Sequence, residues 1–107
     1  MHLFPQRIVE LITSRALVRT ENASKYLVQL STHWSHKFPD LAYDRTQARI
    51  PLPRGPCVLT ATDGALELTL VTETDDDAAL LEQVVADHLK RFAFREQLDF
   101  EWARQRS

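Results

Sequence analysis

The densest concentration of chemistry-bearing side chains in this sequence is His33-Trp34-Ser35-His36-Lys37-Phe38. Histidines three apart on a helix project to the same side and can share a metal through neutral imidazole nitrogens. Two ligands hold a metal weakly, so a third donor is required. His88 is the natural one, with Asp87 less well placed. A borderline transition metal such as Fe or Zn suits imidazole donors. The competing explanation is structural, since a histidine on an apolar helix face is commonly a core residue bonded through one ring nitrogen. Trp34 and Lys37 add an aromatic surface and a cation, which makes the segment a candidate ligand-binding surface as well.

A second cluster is His88-Leu89-Lys90-Arg91-Phe92-Ala93-Phe94-Arg95-Glu96. Arg91 and Arg95, four apart on one helix edge, could grip a carboxylate or phosphate with planar guanidinium groups. The alternative is a solvated edge with local ion pairs to Asp87 or Glu96. Nucleophilic catalysis finds little support. Cys57 is the single cysteine and falls on the inward face of its strand, no glycine-rich elbow surrounds a serine, and Gly55 and Gly64 are the only glycines. The run Asp75-Asp76-Asp77 lacks the glycine and distal glutamate of a calcium loop and reads as a helix start.

These residues have to be positioned by a small scaffold. The chain has 107 residues, which fits one domain over 1–107, with residues 1–13 a short N-terminal helix or extension. Apolar residues make up 44% and charged residues 26%, the balance of a folded globular chain. A net charge of -2 with dispersed arginines offers no basic stripe for nucleic acid. One cysteine permits no intrachain disulfide. The N-terminal stretch MHLFPQRIVELITSR has neither a secretory core nor a membrane span, so a cytoplasmic protein without membrane contact is expected.

Residues Phe4 to Ile12 suggest a short helix opened by Pro5. Ser14 to Thr20 alternates with a period of two, hence a strand. Asn22 offers an N-cap to a helix over Ala23 to Lys37 with Ala23, Tyr26, Leu27, Leu30 and Trp34 on one stripe, and Pro39 ends it. Leu41 to Leu52 is β-like and leads through Pro51 and Pro53 into an irregular stretch around Gly55. Cys57–Thr62 and Ala65–Val71 flank Asp63-Gly64, the pair a type I′ hairpin turn prefers. A two-residue loop pairs Ala61 with Leu66, Leu59 with Leu68 and Cys57 with Leu70, all on one face. Thr74 starts a second helix whose stripe is Leu81, Val84, Val85, His88, Leu89 and Phe92. Leu98, Phe100 and Trp102 then alternate as a terminal strand or an extended tail on the sheet. The expected fold class is α+β: a two-layer sandwich of a mostly antiparallel sheet with two main helices on one face, in the order β-α-β-β-β-α with room for a final β.

Three stretches together carry a family resemblance: Ser14-Arg15-Ala16 with the Ala23-xx-Tyr26-Leu27-xx-Leu30 helix, His33 to Phe38, and Val84 to Glu96 running on to Trp102. The chain resembles the small bacterial proteins called domain of unknown function 2218, over nearly everything from about Ser14 onward. The resemblance maps the family's histidine-bearing helix onto His33 and His36, and its second-helix motif onto His88, Arg91 and Arg95. A similar domain is attached to siderophore-interacting flavoproteins, which implies an accessory role in iron handling, with such a reductase as a partner. The chain has no room for flavin and nicotinamide domains of its own. The expectation is therefore a non-catalytic binding or accessory domain using a cleft between the helices. The alternative is an interaction or homodimerisation module on the open sheet face, through Arg15, Leu17, Arg19, Val58, Thr60, Glu67 and Thr69. A small enzyme using His36 or His88 as general base ranks last, because no partner group is evident.

Overall fold

Alternation over Ile12–Arg19 decides the first strand, β1. Ile12, Ser14, Ala16 and Val18 turn inward and are buried, while Arg15, Leu17 and Arg19 turn outward. The structure, a computed structural model, describes residues 10–107. The helix expected from Phe4 onward lies mostly outside these residues, and its final residue, Ile12, already belongs to β1.

After β1 come α1 (Ala23–Ser35), β2 (Ala42–Tyr43), β3 (Gln47–Ile50), β4 (Cys57–Ala61), β5 (Ala65–Thr72), α2 (Asp75–Phe92) and β6 (Ala103–Arg106). The strands form one six-stranded sheet in the order β2-β3-β4-β5-β1-β6, and every pairing is antiparallel. The expected α+β two-layer sandwich is thus the fold, with the β-like stretch after Pro39 divided into two strands. Asp44 divides it: its carboxylate accepts from the backbone N–H groups of Thr46 and Gln47, a local turn that competes with a continuous strand.

Both helices lie on the face formed by Ile12, Ala16, Val18, Ile50, Cys57, Leu59, Leu66, Leu68 and Leu70. α1 lies over β3, β4 and β5, and α2 lies over β5 and β1. Leu27, Leu30, Val85 and Leu89 are fully buried between the layers, each contributing about 1.5–3 kcal/mol of apolar transfer. Among the described residues no helix lies on the opposite sheet face. No helix among the described residues is long and apolar enough to cross a membrane.

The β4–β5 hairpin has the register its face pattern requires, with Cys57 opposite Leu70, Leu59 opposite Leu68 and Ala61 opposite Leu66. Its turn is not type I′, because neither Asp63 nor Gly64 has a positive φ. The Gly64 carbonyl accepts from the Thr20 N–H at the end of β1, so the neighbouring strand shapes this turn. Asn22 holds the N-cap position of α1 but its side chain does not cap; it donates to Glu96 instead. Thr74 does cap α2, its hydroxyl accepting from the Asp77 N–H.

Candidate functional site

Where the last turns of α1 approach the middle of α2, the sandwich opens into a groove of about 250 Å³. Trp34 and Phe38 come from α1 and the turn after it, Leu80, Leu81, Val84 and His88 from α2, and Leu52, Pro53 and Arg54 from the β3–β4 connection; Lys37 completes the rim. The helical spacing that makes a core stripe also makes this wall. Trp34 continues the buried Tyr26-Leu27-Leu30 stripe by one turn, and Val84 and His88, half-buried, flank the Leu81-Val85-Leu89 stripe of α2. Trp34 is buried with its ring 4.8 Å from the His88 ring and 6.4 Å from Phe38. Leu80 stands exposed at the lip.

His88 Nδ1 lies 2.7 Å from the Val84 carbonyl oxygen. A carbonyl can only accept, so Nδ1 carries a proton and donates it to this bond. His33 sits across the helix interface, its ring 5.6 Å from His88 and 5.9 Å from Phe92. The meeting of His33 and His88 between the helices is as the two stripes imply. His36 is not brought to them. It lies exposed beyond the end of α1, and among the described residues no group of three metal donors is assembled.

Arg91 and Arg95 are not a pair on one helix edge. α2 ends at Phe92, so Arg95 lies beyond it with its guanidinium over the Phe94 ring at 5.3 Å, while Arg91 remains exposed on the helix. The turn after α2 is set by Glu96, whose carboxylate accepts from the Tyr26 hydroxyl at 2.5 Å and the Asn22 amide at 2.8 Å. Those bonds hold the Glu96 carboxyl below its usual range, and burial followed by the Glu96 bond raises the Tyr26 phenol. The recess there is larger, about 580 Å³, but its carboxylate is committed to tying the two helices together.

Arg54 is the residue that spacing arguments missed. The Gly55 N–H donates to the Leu52 carbonyl across a β-turn with Pro53 second and Arg54 third. Arg54 has φ 79°, the only positive φ of a non-glycine residue among those described. That is the arrangement of a type II turn, which favours glycine at its third position. An arginine there costs on the order of 1 kcal/mol. The turn cannot shift to relieve it, because a Cβ on Gly55 would meet the Val71 carbonyl oxygen at 2.0 Å and the Pro56 carbonyl accepts from the Val71 N–H. Arg54 Nη1 donates to Asp77 at 2.7 Å, and this bond holds the Asp77 carboxyl low. The Pro53-Arg54-Gly55 triplet was the available signal.

A second polar constellation lies at the other flank of α2. Ser14, fully buried on β1, donates to Glu82 at 2.8 Å, and Arg104 of β6 grips both Glu82 oxygens at 2.8 and 2.9 Å. Arg104 also reaches Asp75, which pairs with Arg106. The Arg104 bonds hold the Glu82 carboxyl low. Ser14, Glu82 and Arg104 satisfy one another, so the cluster clamps β6 to α2. Cys57 is fully buried, which pushes its thiol up to about 12 and makes it inert.

Comparison with solved structures finds the NMR structure of PA4090 from Pseudomonas aeruginosa, similar at 34% identity with a TM-score of 0.73, over 86% of this chain and 95% of that one. No curated protein matches the chain. The family described as "Uncharacterized protein conserved in bacteria (DUF2218)" matches residues 15–103, which include both helices, the groove and the Glu82 side of the Arg104 clamp. The chain belongs to the bacterial DUF2218 family.

Proposed function

We propose that this is a non-catalytic binding domain whose site is the groove between α1 and α2, and that its ligand is small with a flat apolar body. The observation that carries this reading is the groove's lining: an aromatic wall of Trp34 and Phe38 faces Leu81 and Val84, with polar groups confined to His88 and the rim. Ligand sites characteristically combine an apolar concavity with a few placed polar groups. A volume of about 250 Å³ suits one aromatic ring with its substituents. The iron connection implied by the family resemblance would then run through the ligand, one aromatic arm of a siderophore being of this size. It would not require a metal held by His33, His36 and His88. Catalysis has little support, since no serine, threonine, cysteine or carboxylate among the described residues lines the groove with His88 and Lys37.

The test is equilibrium binding of benzoate and benzamide to the native protein and to Val84→Trp, which fills the groove from a half-buried helical position. Fragment ligands of this size bind with roughly millimolar dissociation constants. Saturable binding to the native protein that is lost in a folded Val84→Trp variant is the expected result; equal binding to both would refute it.

A second reading has one observation in its favour. On the sheet face that no described helix covers, Leu17 of β1 is 50% exposed and lies directly opposite Glu67 of β5, with Arg15 and Arg19 on either side of it. Such a face can pair with a second copy about a two-fold axis, each arginine meeting the other copy's Glu67.

A further inference from the structure

We infer that Arg54 is the specificity-determining residue of the groove and that the ligand it selects is a carboxylate. This rests on the groove being a ligand site and names the class of ligand it takes. The case begins with conformation. A type II turn with proline second favours glycine third, yet this chain places a large charged residue there, at φ 79°. The turn is pinned on both sides: Gly55 packs against the Val71 backbone with no room for a Cβ, and Pro56 is bonded to Val71. A strained residue in an over-determined turn is held in one place, which is a requirement for recognition rather than for stability.

Geometry supplies the second part. Arg54 lines the groove, and its side chain is 58% exposed. One end of the guanidinium is anchored, since Nη1 donates to Asp77 on the first turn of α2, itself fixed by the Thr74 cap. Among the described residues no other partner takes the remaining guanidinium N–H groups. They form a planar fork suited to the two oxygens of one carboxylate. Asp77 is thus a positioning residue, and the fork is the part that touches ligand. Lys37, the other rim cation, is a flexible point charge lying 5.8 Å from the Phe38 ring, and it adds attraction without direction.

The experiment compares benzoate with its neutral isostere benzamide against the native protein, Arg54→Gly and Arg54→Asn. Both substitutions suit a positive φ, so both variants should fold, with melting temperatures within roughly 4 °C of the native protein. The native protein should prefer benzoate, and each variant should lose about tenfold or more in benzoate affinity while benzamide affinity is unchanged. If both compounds bind the native protein and the variants alike, the Arg54 assignment fails and the groove remains a ligand site. If neither compound binds the native protein, the groove reading falls and the Arg54 assignment falls with it.

Discussion

At the scale of single residues, the sharpest contrasts are between charges that are used up and charges that are not. Glu82 is buried and fully engaged by Ser14 and Arg104, so removing the arginine strands a carboxylate in the core flank. Arg104→Ala should cost about 2 kcal/mol in urea unfolding, below the range for a fully buried pair because Arg104 retains some exposure. Arg104→Lys should restore only part of this, since an ammonium cannot reproduce the two-pronged contact. The pH dependence has a definite sign. Arg104 holds the folded-state Glu82 carboxyl below its ordinary 4.5. The associated stability is fully present above the unfolded value and lost as pH falls through the folded one. Acid titration of the native protein should therefore show a loss below pH 4.5 that is smaller in Arg104→Ala. Cys57 offers an independent check of the core. Buried, with its thiol pushed up to about 12, it should react with a thiol reagent only on unfolding, and rapid labelling of the native protein would contradict its placement.

At the scale of elements, the helices are joined at one end by Glu96 and parted at the other by the groove. Glu96→Ala removes both the Tyr26 and the Asn22 bonds and should destabilise by about 1 kcal/mol, the site being partly open to water. Asn22→Ala should cost less, because it leaves the Tyr26 bond intact. How far such elements can be read from sequence depends on whether their signal is local. The hairpin register was legible because alternation fixes which residues share a face, and the His33–His88 approach because two stripes on one sheet must meet. The alternation of Leu98, Phe100 and Trp102 also reported a face, but not a strand. Leu98 is buried and Phe100 stacks on Trp102, while the pairing to β1 begins only at Ala103. Strand pairing needs an available neighbour edge, which no residue pattern encodes. The Glu82–Arg104 clamp was equally hidden, although Ser14 on the inward face of β1 asks for a polar partner. Arg54 was missed because its meaning lies in a backbone angle, and only Pro53 and Gly55 hint at that.

At the scale of the whole molecule, one sheet has a helical layer on one side and, among the described residues, an uncovered face on the other. If the uncovered face pairs two copies, light scattering after size exclusion should give a dimer that Leu17→Glu dissociates, whereas a monomer at every concentration tested would remove that reading. The groove lies on the helical side, so ligand binding and any such pairing are separable. The most direct test of the central claim is a ¹H–¹⁵N correlation titration of the native protein with benzoate. If the groove is the site, saturable shifts will cluster at the Trp34 indole and at the backbone amides of Phe38, Leu52, Arg54, Val84 and His88, with residues of the open face unmoved. Shifts confined to the open sheet face, or none that saturate, would contradict it.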